Sequence, residues 1–175
     1  VNTTGNYNIA LGNNALGRNT TAGNNIAIGF DAGSFNVTGS SLTAIGYEAL
    51  KVSTADGNTA IGYSALGGNT TGTNNTAVGK RAGDNTTTGG QNAFFGVGAA
   101  LFTTTGGNNT AIGGNEALYG NQTGSNNVAV GSMALKGAIA NSHSNNTAIG
   151  YQAGLAITTG GQNTIVGHTA GYNIT

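Results

Sequence analysis

Along the chain one short pattern keeps returning: a polar residue, a β-branched one, a small one, a bulky apolar one, then Gly. Asn58-Thr59-Ala60-Ile61-Gly62 and Asn146-Thr147-Ala148-Ile149-Gly150 are two instances. The closing glycines are Gly12, Gly29, Gly46, Gly62, Gly79, Gly96, Gly113, Gly131, Gly150 and Gly167, at steps of 17, 17, 16, 17, 17, 17, 18, 19 and 17. Between them the chain reads x-x-A-(L/G), then a polar N-T-T-G-x-N corner. A unit this short and this rich in Gly and Asn cannot hold a helix pair. It fits one coil of a solenoid, with two short strands and two turns. The expected fold is therefore all-β: a parallel β-roll or β-solenoid of about ten coils, forming a single domain over 1–175. Asn-Gly, the strongest hairpin signal, is absent, which argues against antiparallel meanders.

Alternation along a strand sends neighbouring side chains to opposite faces. The residue before each Gly is always bulky and apolar: Leu11, Ile28, Ile45, Ile61, Val78, Phe95, Ile112, Val130, Ile149 and Val166. This row reads as a continuous core ladder. One residue earlier stands Ala, except at Phe94 and Ile165. That row is expected on the other face, packed closely against something else. Four residues before each Gly stands Asn, except at Leu42. Asn25, Asn58, Asn75, Asn92, Asn109, Asn127, Asn146 and Asn163 are expected to pass side-chain amide hydrogen bonds from coil to coil. After the Gly a second strand is expected. Its third position is Ala in nine repeats, and its middle position varies as a solvated site does.

With one large core residue per coil, burial offsets little of the entropy lost on ordering ~17 residues. A lone roll looks marginal, and packing the Ala rows against identical neighbours, most simply in a cyclic oligomer, would remedy this.

The string N-T-A-I-G-Y-x-A-L…N-T-T-G resembles the head repeats of YadA-like trimeric autotransporter adhesins, and Asn/Thr-rich arrays of bacteriophage tail fibres and bacterial surface fibres. The likeness covers essentially the whole chain. It implies a left-handed parallel β-roll, a homotrimer about an axis, and a structural or adhesive role outside the cell or on a virion. It departs from the adhesin repeat in its longer period and its extra N-T-T-G corner. Both ends of the chain fall within the repeat, so coils are expected to continue into flanking segments or end to end into neighbouring molecules.

Composition narrows the partners. Five Lys or Arg balance five Asp or Glu, which gives no electrostatic case for nucleic acid or an anionic membrane. There is no Cys, hence no disulfide framework or thiol chemistry, and no apolar run of membrane-spanning length. No basic-then-apolar leader stands at Val1, so the chain reads as an excised or processed segment.

Candidate chemistry is sparse. Asp31 and Glu48 hold the same repeat position in adjacent coils. Strands ~4.8 Å apart bring two such carboxylates near the spacing of a retaining glycosidase, but no third helper is evident and the solvated reading is preferred. No catalytic residue, cofactor or metal set is expected. His143 and His168 lie far apart, and Asp is too rare for a calcium-binding repeat. Phe30, Tyr47 and Tyr63 follow the Gly in consecutive coils, and Tyr151 and His168 do so later. They form a candidate surface for a glycan or host protein, or else fill a groove between chains. The longer step around His143 suggests a protruding loop near 137–144 with binding specificity, and His143 is counted with the aromatic row as a candidate ligand or interface residue. The sequons at Asn19, Asn69, Asn85 and Asn108 follow from composition. The rival readings are a carbohydrate-active solenoid enzyme and an ice- or surface-binding solenoid, the latter disfavoured because its Thr pairs lie in turns.

Overall fold

The computed structural model describes residues 2–172. Residues 1 and 173–175 of the two terminal repeat strings lie outside the described residues. The repeats fold as ten three-residue strands: β1 (Ile9–Leu11), β2 (Ile26–Ile28), β3 (Thr43–Ile45), β4 (Thr59–Ile61), β5 (Thr76–Val78), β6 (Ala93–Phe95), β7 (Thr110–Ile112), β8 (Val128–Val130), β9 (Thr147–Ile149) and β10 (Thr164–Val166). They form one sheet in the order β1 to β10, each strand parallel to the next. The chain is a parallel β-solenoid of about nine turns, with no helix among the described residues.

The register is in phase with the repeat: Ile28 pairs with Ile45, Ile45 with Ile61, and Ala44 with Ala60. Each strand ends at its Gly because of the backbone conformation there. These glycines have φ between +126° and +153°. At Gly79 an added Cβ would lie 2.5 Å from the Gly96 carbonyl oxygen. Only a residue without a side chain lets consecutive coils approach this closely at that backbone angle.

The expected second strand is absent. After nine of the ten glycines the chain enters a turn in which the second and fourth residues take positive φ, as at Glu48 (55°) and Leu50 (48°), or Ser64 (50°) and Leu66 (48°); after Gly113, Asn115, Glu116 and Leu118 take it instead. The alternation aims successive amides in opposite directions along the axis. Glu48 N–H donates back to the Phe30 carbonyl at 2.9 Å, and Leu50 N–H donates forward to Ala65 at 3.0 Å. A left-handed Leu costs about 1–2 kcal/mol. Buried inter-coil bonds offset that cost, since an unpaired amide there is dearer still.

The core is not where the bulky row suggested. The strand-centre alanines Ala27, Ala44, Ala60, Ala77, Ala111, Ala129 and Ala148 are buried, as are Ala32, Ala49, Ala65, Ala82, Ala99, Ala134 and Ala153, three residues after the Gly. Leu50, Leu66, Leu118 and Leu135 complete the interior from the turn wall. Ile61, Ile112 and Ile149 are 37%, 43% and 42% exposed. Ile28 and Ile45 are half-buried on the same outward face. The isoleucines do stack in register, but on the outside. The reason is the width of the coil. The interior is filled by Leu from one wall, so the facing wall admits only Ala: a Cβ at Gly33, which stands in the Leu row, would come 3.9 Å from the Ala27 Cβ.

Two exceptions support this. Phe94 replaces the strand-centre Ala next to Gly83, which replaces Leu. A Cβ on Gly83 would meet the Phe94 ring at 2.6 Å. Ile165 and Gly154 repeat the exchange, at 3.1 Å. The alanine rows therefore pack within the chain and do not form a mating face.

Candidate functional site

The Asn ladder runs as expected. The side-chain oxygen of each Asn accepts the backbone N–H of the same position one coil later: Asn75 from Asn92 at 3.0 Å, Asn92 from Asn109 at 2.9 Å, Asn109 from Asn127 at 3.0 Å and Asn146 from Asn163 at 3.0 Å. The side-chain NH₂ donates to a corner carbonyl of the next coil, as Asn25 does to Gly39 and Asn58 to Gly72. Where Leu42 interrupts the row, its backbone N–H still donates to Asn25 at 2.9 Å. A second Asn closes the corner itself. Asn36 and Asn69 each bridge the N–H and the carbonyl of the Gly three residues on. Asn19 and Asn69, both sequons, are buried.

The outward face of the sheet presents two parallel rows. The bulky row just described lies beside Thr43, Thr59, Thr76, Thr110, Thr147 and Thr164, with Ile26 and Val128 in line. The strand centre points inward, so both flanking residues point outward. The result is a flat apolar and hydroxyl-bearing face along the whole solenoid.

Beside it run the aromatic residues. Phe30 and Tyr47 stack at 5.2 Å between centroids and 13° between planes, and Tyr47 and Tyr63 at 5.1 Å and 5°. Tyr151 belongs to a separate stack with His168 at 5.3 Å. Lys80, Val97, Gly114 and Ser132 occupy the row between. Stacking changes what this row can do. Tyr47 has a neighbour on both faces and offers solvent mainly its edge, so the stack is not a continuous platform for sugars. A ring face stays available only at its ends.

Asp31 and Glu48 do come together, but Lys51 joins them. Its ammonium lies 2.7 Å from Glu48 Oε1 and 3.5 Å from Asp31 Oδ2, and Asn14 donates to Asp31 at 2.6 Å. The hydrogen bond to Glu48 first, and then the charges of both acids, raise the Lys51 pKa. A carboxylate pair bridged by a cation does not provide the separate acid and nucleophile that glycoside cleavage needs. Lys51 stands three residues after Glu48 and bridges the pair without serving as a catalytic helper.

His143 is not part of any ligand surface: it is fully buried. Burial lowers its pKa to about 4, and the backbone carbonyls of Leu135 and His143 itself oppose that shift only in part. Its Nδ1 lies 3.4 Å from Asn127 Oδ1. Within the 137–144 segment the exposed residues are Ala138, Ile139, Ala140 and Ser142. A cleft of about 470 Å³ lined by Met133, Lys136, Gln152, Leu155 and Thr158 adjoins them. No group of three or more metal-ligating side chains occurs among the described residues. No helix among them is long and apolar enough to cross a membrane.

The sequence reading passed over Lys80 and Arg81. They line a cleft of about 720 Å³ with Tyr63, Ser64 and Asp84, and a smaller one of about 250 Å³ on their other side. Arg81 Nε donates to Asp84 Oδ2 at 2.8 Å. Among the described residues, no carboxylate lies within ion-pair distance of Lys80. Comparison of the chain with family models, curated proteins and solved structures gave no match in any of the three.

Proposed function

We propose that this chain is a structural and adhesive segment of an extracellular fibre, on a cell surface or a virion, built from three copies and acting by repeated weak contacts. The supporting observation is the outward row of Ile, Val and Phe, half-exposed over the full length of the sheet. A monomer rarely leaves so long an apolar stripe in water, and such stripes mark association surfaces. A second copy suits it because a straight repeating ridge is best matched by a straight repeating ridge of equal pitch. The number three rests on the resemblance to trimeric adhesin repeats. Presenting each surface feature three times would convert weak binding into avidity.

The chain has no Cys, so an introduced one reports proximity cleanly. Ile112→Cys on the sheet face is expected to form an inter-chain disulfide under mild oxidation. Thr105→Cys, on an exposed corner, is expected not to. Equal cross-linking of both, or of neither, would remove the sheet face as the mating surface.

The Thr rows favour one second reading. Thr43, Thr59 and Thr76 lie in register on the outward sheet face and not in turns, one Thr per strand where a lattice-matching face calls for T-x-T. Thermal hysteresis in the single-chain state is the outcome that would support it.

A further inference from the structure

We infer that the cleft between Tyr63 and the Lys80–Arg81 pair is a binding site for a pyranose bearing a carboxylate. The aromatic stack begins at Phe30 and ends at Tyr63. One face of the Tyr63 ring lies against Tyr47, 5.1 Å away. The next coil places Lys80 in the row, with its ammonium 5.9 Å from the Tyr63 centroid. The second ring face is therefore met by an exposed, flexible ammonium side chain and not by an aromatic, and the cleft of about 720 Å³ opens there. A flat apolar sugar face can continue the stack on Tyr63 once the Lys80 side chain swings off the ring to meet the ligand's carboxylate.

The charge around the cleft selects an anion. Arg18 lies over Phe35, and Lys51, Arg81 and Lys136 have carboxylate partners; Lys80 meets the Tyr63 ring but no carboxylate among the described residues. Arg81 spends its Nε on Asp84. The guanidinium carries further N–H donors in a planar fork suited to a carboxylate. Lys80, Arg81 and Asp84 together leave one positive charge. Glu116, on the far side of the pair, is neutralised by Lys136 at 2.7 Å.

The remaining groups favour a polyhydroxylated ligand over an aromatic acid. Ser64 and Asp84 also line the cleft. A hydroxyl and a carboxylate oxygen bind sugar hydroxyls and give nothing to a bare ring. The volume suits one or two sugar units.

This inference specifies a ligand for the adhesive reading, but every lining residue comes from one chain, so it stands or falls apart from assembly. The test is titration at low ionic strength, read by saturation-transfer NMR and calorimetry. The probes are methyl β-glucuronide, the methyl glycoside of N-acetylneuraminic acid, and methyl β-glucoside. At least one acid is expected to bind, and the glucoside at least about fivefold more weakly. Which acid binds reports where the carboxylate sits relative to the ring. Lys80→Gln is expected to remove the discrimination. Tyr63→Ala is expected to weaken the acid by about fivefold or more, and Tyr151→Ala to leave it unchanged. Unaltered far-UV circular dichroism would confirm that each variant folds. No binding by either acid, equal binding of the glucoside, or undiminished discrimination in Lys80→Gln would overturn the inference.

Discussion

Asn109 shows how much one polar side chain contributes here. It donates its backbone N–H to Asn92 and its side-chain NH₂ to the Gly124 carbonyl, and its oxygen accepts both amides of Asn127. All of this is buried. Asn109→Ala keeps the backbone bond to Asn92 but removes three buried side-chain bonds to Gly124 and Asn127 of the next coil, at about 1–3 kcal/mol for each group left unpaired. A drop of several kcal/mol is expected in urea unfolding, whereas exposed Thr105→Ala should stay within about 0.5 kcal/mol. His143 gives a pH dependence of definite sign. Its folded-state pKa, about 4, lies below the ordinary 6.5, so the unfolded chain binds the extra proton. The stability tied to the neutral ring is fully present above pH 6.5 and is lost as pH falls toward 4. His143→Leu is expected to flatten the stability profile over that window, as measured by melting temperature against pH. The Asn ladder was legible in the sequence because nine repeats keep an amide where any polar residue would serve a solvated corner. The burial of His143 was not, because nothing local distinguishes an imidazole folded under a loop from one displayed on it.

At the scale of the element, alternation identified two faces of each strand but not which face is inside. Bulk suggested the Ile row, whereas the coil is too narrow for it. The deciding signal lies elsewhere in the repeat, where Leu or Gly stands four residues after the anchor Gly in eight of the ten repeats, the exceptions being Ala100 and Ala117. Phe94 follows Gly83 in the preceding coil, and Ile165 follows Gly154. The missing second strand had no comparable mark, since Leu, Asn, Ser and Arg carry the left-handed conformation there as readily as Gly. The exchange at Phe94 can be tested directly. Phe94→Ala should cost about 3–5 kcal/mol through the cavity it opens. Gly83→Leu alone should overpack the same space by about 1–3 kcal/mol. Together they restore the common Ala–Leu arrangement, and the double variant is expected to recover most of the loss in denaturation measurements. Additive losses would contradict this assignment of the interior.

For the molecule as a whole, the repeat predicted an all-β fold, parallel stacking and a strand before the Gly in each of the ten repeats, all of which follow from period and alternation. The candidate sites were less legible. Aromatic spacing brought Phe30, Tyr47 and Tyr63 together, yet the closure of their faces by stacking is a property of three-dimensional pitch. The Lys80–Arg81 cleft depends on which side chain interrupts that stack. The exposed row changes the energetics. Completing the burial of each outward Ile, Val, Leu or Phe is worth roughly 1 kcal/mol, and ten in line sum to about 10 kcal/mol, comparable with the whole stability of a small domain. Self-association along that row is the central claim, and mass in solution tests it most directly. Sedimentation equilibrium at micromolar concentration is expected to give three chains of 17.0 kDa in one particle, and a reduced mass for Ile61→Lys combined with Ile112→Lys. A folded single chain of 17.0 kDa, stable and unchanged by those substitutions, would contradict it.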